Sequence, residues 1–469
     1  MPPAGRQGVP EQPLGPFPAW VAQLPAPLRT VHVAPLGSGV DGTGETEANP
    51  VRGLQRAVDA ARPGDRLLLL PGEYREPVRI RQGGLTLESQ QRHAARIVVG
   101  MVDESRDSSA VQIDPGAHGT RLIGLDISGG YYYGVSLETR WDWGTADRSG
   151  ATRVVLSQLR VHHTGRDGIK LKPLCDDVLI ERTEISHTGQ RDDSNSEGID
   201  NVNASRMVVQ DSWIHDIATT GLYFKGGARD VVVQRNLVER TGIGRERSGG
   251  GILVGFDTSP EFFSTGTNPQ YHEAIDAVVV NNIVRDTAHA GIGVFATDGA
   301  RIEHNTLDGV ATQGQAALHF GLSLQDYEAG AARPPSRRVQ FVGNWVRSAH
   351  PQAAALEIRH AVEPQPVGTI SAYTGMPTSD RNAWWALQGE PRFSDRRPAS
   401  ALDAVVLTAW RAATAQDAQS LLDATAPQAA DSWRPPAALA DRGAPTPWSA
   451  VDFFGRPRSG AADIGAVER

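Results

Sequence analysis

Three lysines occur in 469 residues, against 43 arginines (46 basic residues less 3). All three fall in one stretch: Lys170 and Lys172 in DGIKLKP, and Lys225 in TGLYFKGG. Arginine stays protonated in a protein, whereas burial and neighbouring charge can tune a lysine into a base. Acidic residues gather in the same stretch. Asp167 precedes Gly168, Glu197 precedes Gly198, Asp200 follows two residues later, and Asp192 and Asp193 lie between. Carboxylates of this kind serve in turns, and they also suit a hard cation held through oxygen, calcium being the natural candidate. Tyr223 offers a phenol that could protonate a leaving oxygen or act as a stacking platform. Lys170 and Arg166 would add positive charge for an anionic substrate, and Trp141 and Trp143 offer rings that either suit the apolar faces of sugars or pack as buried aromatics in an end coil.

These residues meet only if the chain repeats, and it does. GIKLKPLCDDVLIERTEISHTG starts at Gly168, GIDNVNASRMVVQDSWIHDIATTG at Gly198, GLYFKGGARDVVVQRNLVERTG at Gly221 and GIGVFATDGARIEHNTLDG at Gly291. Each unit is a short β-rich run, a turn, a second β-rich run and a polar turn ending near glycine. A period of about 22–30 residues without amphipathic helices predicts an all-β fold, a single-stranded right-handed parallel β-helix with one coil per repeat. Aligned on the turn glycine, positions one and three are mostly apolar (Ile169 and Leu171, Ile199 and Asn201, Leu222 and Phe224) and should face the core. Positions two and four then face outward: Lys170 and Lys172, Asp200 and Val202, Tyr223 and Lys225. Adjacent strands lie ~4.8 Å apart, so this register predicts Lys172 and Lys225 at ~10 Å, with the Asp200 coil between them. Asn236, Asn282, Asn305 and Asn344 each stand two residues before an aliphatic residue, with Thr183 and Ser212 in that place earlier. Stacked coils would turn them into a side-chain ladder at one corner.

The remaining features bound the organisation. Residues 1–30 read as a proline-rich N-terminal extension, 31–370 as the β-helix catalytic domain, and 371–469 as a C-terminal segment that packs back on it. PVRGLQRAVDAARPGDRLLLLPGEY predicts a short helix around 52–61 that caps the open end, then a buried strand; a second helix is expected around 401–424. A net charge of −8 argues against nucleic acid or an anionic membrane as partner. Cys175 is alone, which excludes an internal disulfide and a cysteine-based zinc site. No run approaches the ~18 apolar residues of a membrane span. No secretory signal is visible. Nothing in the sequence speaks to oligomeric state.

VHVAPLGSG, the NPVRGLQRAVDAARPGDRLLLLPGEY that follows, WRAATAQDAQS and the terminal DIGAVE together resemble the secreted pectate-lyase-like β-helix proteins. DGIKLK, NSEGID and GLYFKGG are similar to the site segments of family-nine polysaccharide lyases. That resemblance implies calcium ligands at Asp167, Glu197 and Asp200 and a proton-abstracting base at Lys225. Ser196 stands where the family has the first Asp of a pair, so one carboxylate is fewer, and Lys172 would supply part of the missing positive charge. The implied activity is β-elimination from an acidic, uronate-containing polysaccharide, with an extracellular or periplasmic location. Two other readings use the same face. A glycoside hydrolase would pair Asp200 with Glu197 or Asp193 at ~5–9.5 Å. A carbohydrate-binding solenoid would bind without turnover.

Overall fold

Successive described coils turn a sharp corner on one residue in the left-handed conformation, and from Arg182 onward the residue after it is buried and polar (Thr183, Ser212, Asn236, Asn282, Asn305, Asn344 and Asn382). In the computed structural model, which describes residues 18–39, 41–141, 149–321, 333–348, 354–359, 376–397, 400, 402–423 and 433–469, the corner residues include Gln158, Arg182, Asp211, Arg235, Asn281, His304 and Arg381. The described chain forms two compact units, one comprising Phe17–Leu222 with Gly244–Glu246, the other Tyr223–Ile243 with Arg247–Arg469.

In each unit the strands form three parallel sheets, because each coil contributes one short strand to each. The core is built from columns of identical inward positions. In the first unit Leu67, Leu87, Leu122, Leu156, Ile180 and Val209 pair in succession and are fully buried. In the second, Val279, Ile302 and Phe341 do the same. Strands buried on their inner face and stacked in register bury apolar surface continuously along the column.

The expected ladder is present. In the second unit Asn236 donates to Asn282, Asn282 to Asn305, Asn305 to Asn344 and Asn344 to Asn382, each through its side-chain amide at 3.0–3.1 Å. The backbone N–H of each donates to the same carbonyl oxygen of the next. Ser420 receives the backbone N–H of Asn382. In the first unit, Thr183 and Ser212 are the corresponding rungs, since the Thr183 N–H donates to the Ser212 hydroxyl at 3.2 Å.

Helix covers Leu54–Ala60 near the start, burying Leu54, Ala57 and Val58. The helix expected over 401–424 is confined to Leu407–Thr414. The correction has a local cause. Leu402–Val405 instead pairs antiparallel with Phe393–Asp395, and Ala415 ends the helix in the left-handed region. Trp410 of this helix stacks on Phe393 at 5.6 Å, and its indole N–H donates to Asp417.

Asn305→Ala removes four side-chain hydrogen bonds in a buried corner, two donated to the Val279 carbonyl and Asn344 Oδ1 and two accepted from the Asn282 backbone and side-chain N–H groups. The substitution should lower unfolding stability by about 2–4 kcal/mol, read as a fall in the denaturant midpoint.

Candidate functional site

Glycine at the start of the two site coils is required by contact between backbones. A Cβ on Gly168 would lie 2.7 Å from the Gly198 carbonyl oxygen, and one on Gly198 would lie 2.3 Å from that of Gly221. This close approach carries regular ladder bonds: Gly168 N–H donates to Glu197 O, and Ile169 N–H to Gly198 O. The residue before each glycine and the second residue after it are thereby locked beside their counterparts one coil away.

Lys170 consequently pairs with Ser136 on one side and Asp200 on the other, while Ile169, Leu171, Ile199 and Asn201 face the core. Asp167 and Glu197 precede the two glycines and lie at the same end of the strands. Oxygens of Asp167, Glu197 and Asp200 lie within 4.8 Å of one another, and all three residues are buried. The Glu197 N–H donates to Asp167 Oδ1 at 3.2 Å, and the Thr219 hydroxyl donates to Glu197 Oε1 at 2.8 Å. The Lys170 ammonium donates to Asp200 Oδ2.

The charge balance is visible in the protonation tendencies. Burial, then the adjacent Glu197 and Asp200 charges, hold the Asp167 carboxyl well above the usual carboxylate range, against the pull of Lys170 and Arg166. For Lys170, burial favours the neutral amine, but Asp200, Asp167 and Tyr133 together raise its pKa instead. Burial pushes the Tyr133 phenol up to about 12, with Lys170 opposing. Three hard oxygen donors of this charge, this close, fit a divalent cation such as calcium. They could hold a metal ion, and among the described residues they are the one such group.

A family model for the right handed beta helix region matches residues 144–323. Pectate lyase Pel9A is similar in structure, with a TM-score of 0.53 at 16% identity over 95% of this chain and 97% of that one. The A-module of the Azotobacter vinelandii mannuronan C-5 epimerase AlgE6 gives a TM-score of 0.46 at 14% identity, over 87% of this chain and 99% of that one. The fold is a pectate-lyase-like right-handed β-helix. No curated protein matches the sequence.

The β-helix places the other expected residues as follows. Lys172 donates to Glu138 at 2.7 Å and lies 5.9 Å from the Tyr133 ring centroid. Arg166 lies over the Tyr132 ring and donates to the Asn195 carbonyl, with Asp192 at 3.7 Å. Asp193 is tied to Arg245 at 3.0 Å. Ser196 is fully buried, and its hydroxyl donates to the Asp192 carbonyl, fastening that loop. Trp141 is buried, which is the second of the two placements open to it from sequence. Trp143 lies outside the described residues. In the second unit, the Lys225 ammonium lies 4.4 Å from the Tyr223 ring centroid and 5.5 Å from that of Phe256. Tyr223 is buried and stacks on Phe256 at 5.8 Å. Among the described residues no helix is long and apolar enough to cross a membrane.

Glu138 was missed as a site residue. Its signal is GVSLE from Gly134, which is one coil before GIKLK and puts Glu138 opposite Lys172. Thr219, which holds Glu197, has no marker beyond its place before the next turn glycine.

Asp167 yields a pH prediction. Its folded pKa lies above the unfolded value of about 3.9, so between the two the folded chain holds a proton that the unfolded chain has released. The stability this group contributes is present below about pH 4 and is lost as pH rises through the raised pKa. Asp167→Asn keeps an acceptor for the Glu197 N–H and removes the charge. From pH 4 to 8, wild-type unfolding free energy should therefore fall relative to Asp167→Asn, as read by denaturant titration. Parallel pH profiles would refute it. Lys170→Met leaves Asp200 without this bonded ammonium and should cost about 3 kcal/mol.

Proposed function

We propose that this β-helix is a polysaccharide lyase that cleaves a uronate-containing polysaccharide by β-elimination, outside the cytoplasm. The observation that carries the reading is the convergence of Asp167, Glu197 and Asp200 with Lys170 at the outward face of one parallel sheet. A pectate lyase shares the fold over nearly the whole chain. Structural columns of a solenoid do not need buried like charges at one place, and such clusters are where function is concentrated.

Elimination begins with removal of the proton α to the uronate carboxylate. Lys225 is assigned as the base from its place in the repeat, and it accepts that proton as the neutral amine. The electron pair left behind forms the new carbon–carbon double bond as the glycosidic C–O bond breaks. The leaving oxygen takes its proton from water, since Tyr223, the phenol expected for that step, is buried against Phe256. Lys170, Lys172 and Arg166 supply positive charge for the anionic chain. Asp167, Glu197 and Asp200 would hold calcium, whose charge, when bound, acidifies the α proton by neutralising the uronate carboxylate.

Incubation with a panel of acidic polysaccharides should generate the ultraviolet absorbance of an unsaturated uronate. Lys225→Ala should lower that rate by about 10²–10⁴-fold. Release of reducing ends without the absorbance, undiminished in Lys225→Ala, would replace this reading by a hydrolase using Asp200 and Glu197. Binding without any product would leave a carbohydrate-binding solenoid.

A further inference from the structure

We propose that Lys170 is the built-in counter-cation of the carboxylate trio, and that a divalent ion binds there only by displacing its ammonium from Asp200. The inference rests on the trio being a cation site, as in the proposed function, but not on the elimination reaction.

Register makes the contact obligatory. Lys170 and Asp200 are paired positions on adjacent parallel strands, Ile169–Leu171 and Ile199–Val202, and both side chains leave the same face. Their side chains are 15% and 4% exposed, so neither charge is well solvated. The ammonium donates to Asp200 Oδ2, one of the oxygens that a metal ion would need. A hard cation takes its ligand oxygens at about 2.3–2.6 Å. An ammonium bonded to the same carboxylate would then lie only a few ångströms from a second positive charge, in a poorly solvated place where repulsion is weakly screened. The two cations therefore compete for Asp200. The Lys170 stem lies between Ser136 and Asp200 on the outward face of the sheet, with 15% of the side chain exposed.

This adds a second role to that of Lys170 as a substrate-binding charge. A covalently attached cation cannot be lost by dilution. It keeps the trio folded and compensated at low calcium and sets the concentration at which a metal ion can enter. The single-charge ammonium neutralises less than a divalent ion would, so exchange of one for the other alters the field that the bound anionic sugar meets.

The test is calcium titration calorimetry on the full chain in wild-type, Lys170→Met and Lys170→Arg forms. Lys170→Met should bind calcium about 10–100-fold more tightly than wild type, the range expected for removing a competing charged hydrogen bond. Lys170→Arg, which keeps the charge, should resemble wild type. Equal or weaker binding by Lys170→Met would overturn the proposal, as would absence of calcium binding in all three proteins. A second measurement needs no destabilised variant. With only three lysines in the chain, ¹³Cε-lysine labelling gives three side-chain signals, and Lys170→Arg identifies the relevant one by its loss. In wild type that signal should shift as calcium saturates; a signal unmoved at saturation would overturn the proposal. A chain that shows both effects yet turns over no acidic polysaccharide would refute the lyase reading and leave this inference standing.

Discussion

The structure depends on how each coil turns its sharpest corner. A left-handed residue that is not glycine costs roughly 1–2 kcal/mol, and this β-helix uses one before most of its polar rungs, at Arg182, Asp211, Arg235, Asn281, His304 and Arg381. The cost is offset by the buried rung that follows. In the Asn236-to-Asn382 series, one carbonyl oxygen accepts both the backbone and the side-chain N–H of the rung before it. A rung can make both bonds only when coils stack without slippage. The ladder therefore sets register, and register sets everything placed on the strands.

That constraint explains why charge can be concentrated at one place. The positions beside and after the turn glycine are the points of closest approach, as the contacts of Gly168 and Gly198 show. Placing Asp167, Glu197, Asp200 and Lys170 there forces four ionisable groups together whatever their mutual repulsion. The columns of Leu67 to Val209 supply the apolar burial that holds the arrangement against that repulsion. The displaced protonation of Asp167 is the local mark of the opposition.

Much of this could be read from the sequence because inward and outward positions alternate strictly along a strand. The pairing of Lys170 with Asp200 follows from aligning GIKLK on GIDNV, and the ladder follows from asparagine recurring at one offset. What escaped depends on longer range or on conflicting local signals. Glu138 required aligning GVSLE, a coil whose outward residues carry no lysine to draw attention. The burial of Trp141 depends on packing outside the repeat pattern, on which a single sequence is silent. Around 401–424, alanine and leucine content favours helix, but Leu402–Val405 finds an edge strand to pair with, and tertiary pairing overrides propensity.

The two central lysines illustrate how such a scaffold separates stability from chemistry. Lys170 lies in the strand Ile169–Leu171 and Lys172 just past its end, two residues on, and each meets a different coil. Lys172 reaches back to Glu138 and forms an ordinary partly exposed pair. Lys170 meets Asp200, which already has two acidic neighbours, and becomes part of a buried cluster. The side chain is the same in the two cases; the residue opposite and the degree of burial differ. Since the inward columns and the ladder are unaffected by that choice, an outward position can exchange a structural ion pair for a reactive one through a single substitution on the adjoining coil. A fold organised this way can carry different chemistries on one outward column, which is why the arrangement of named side chains, and not the β-helix itself, has to support any assignment of activity.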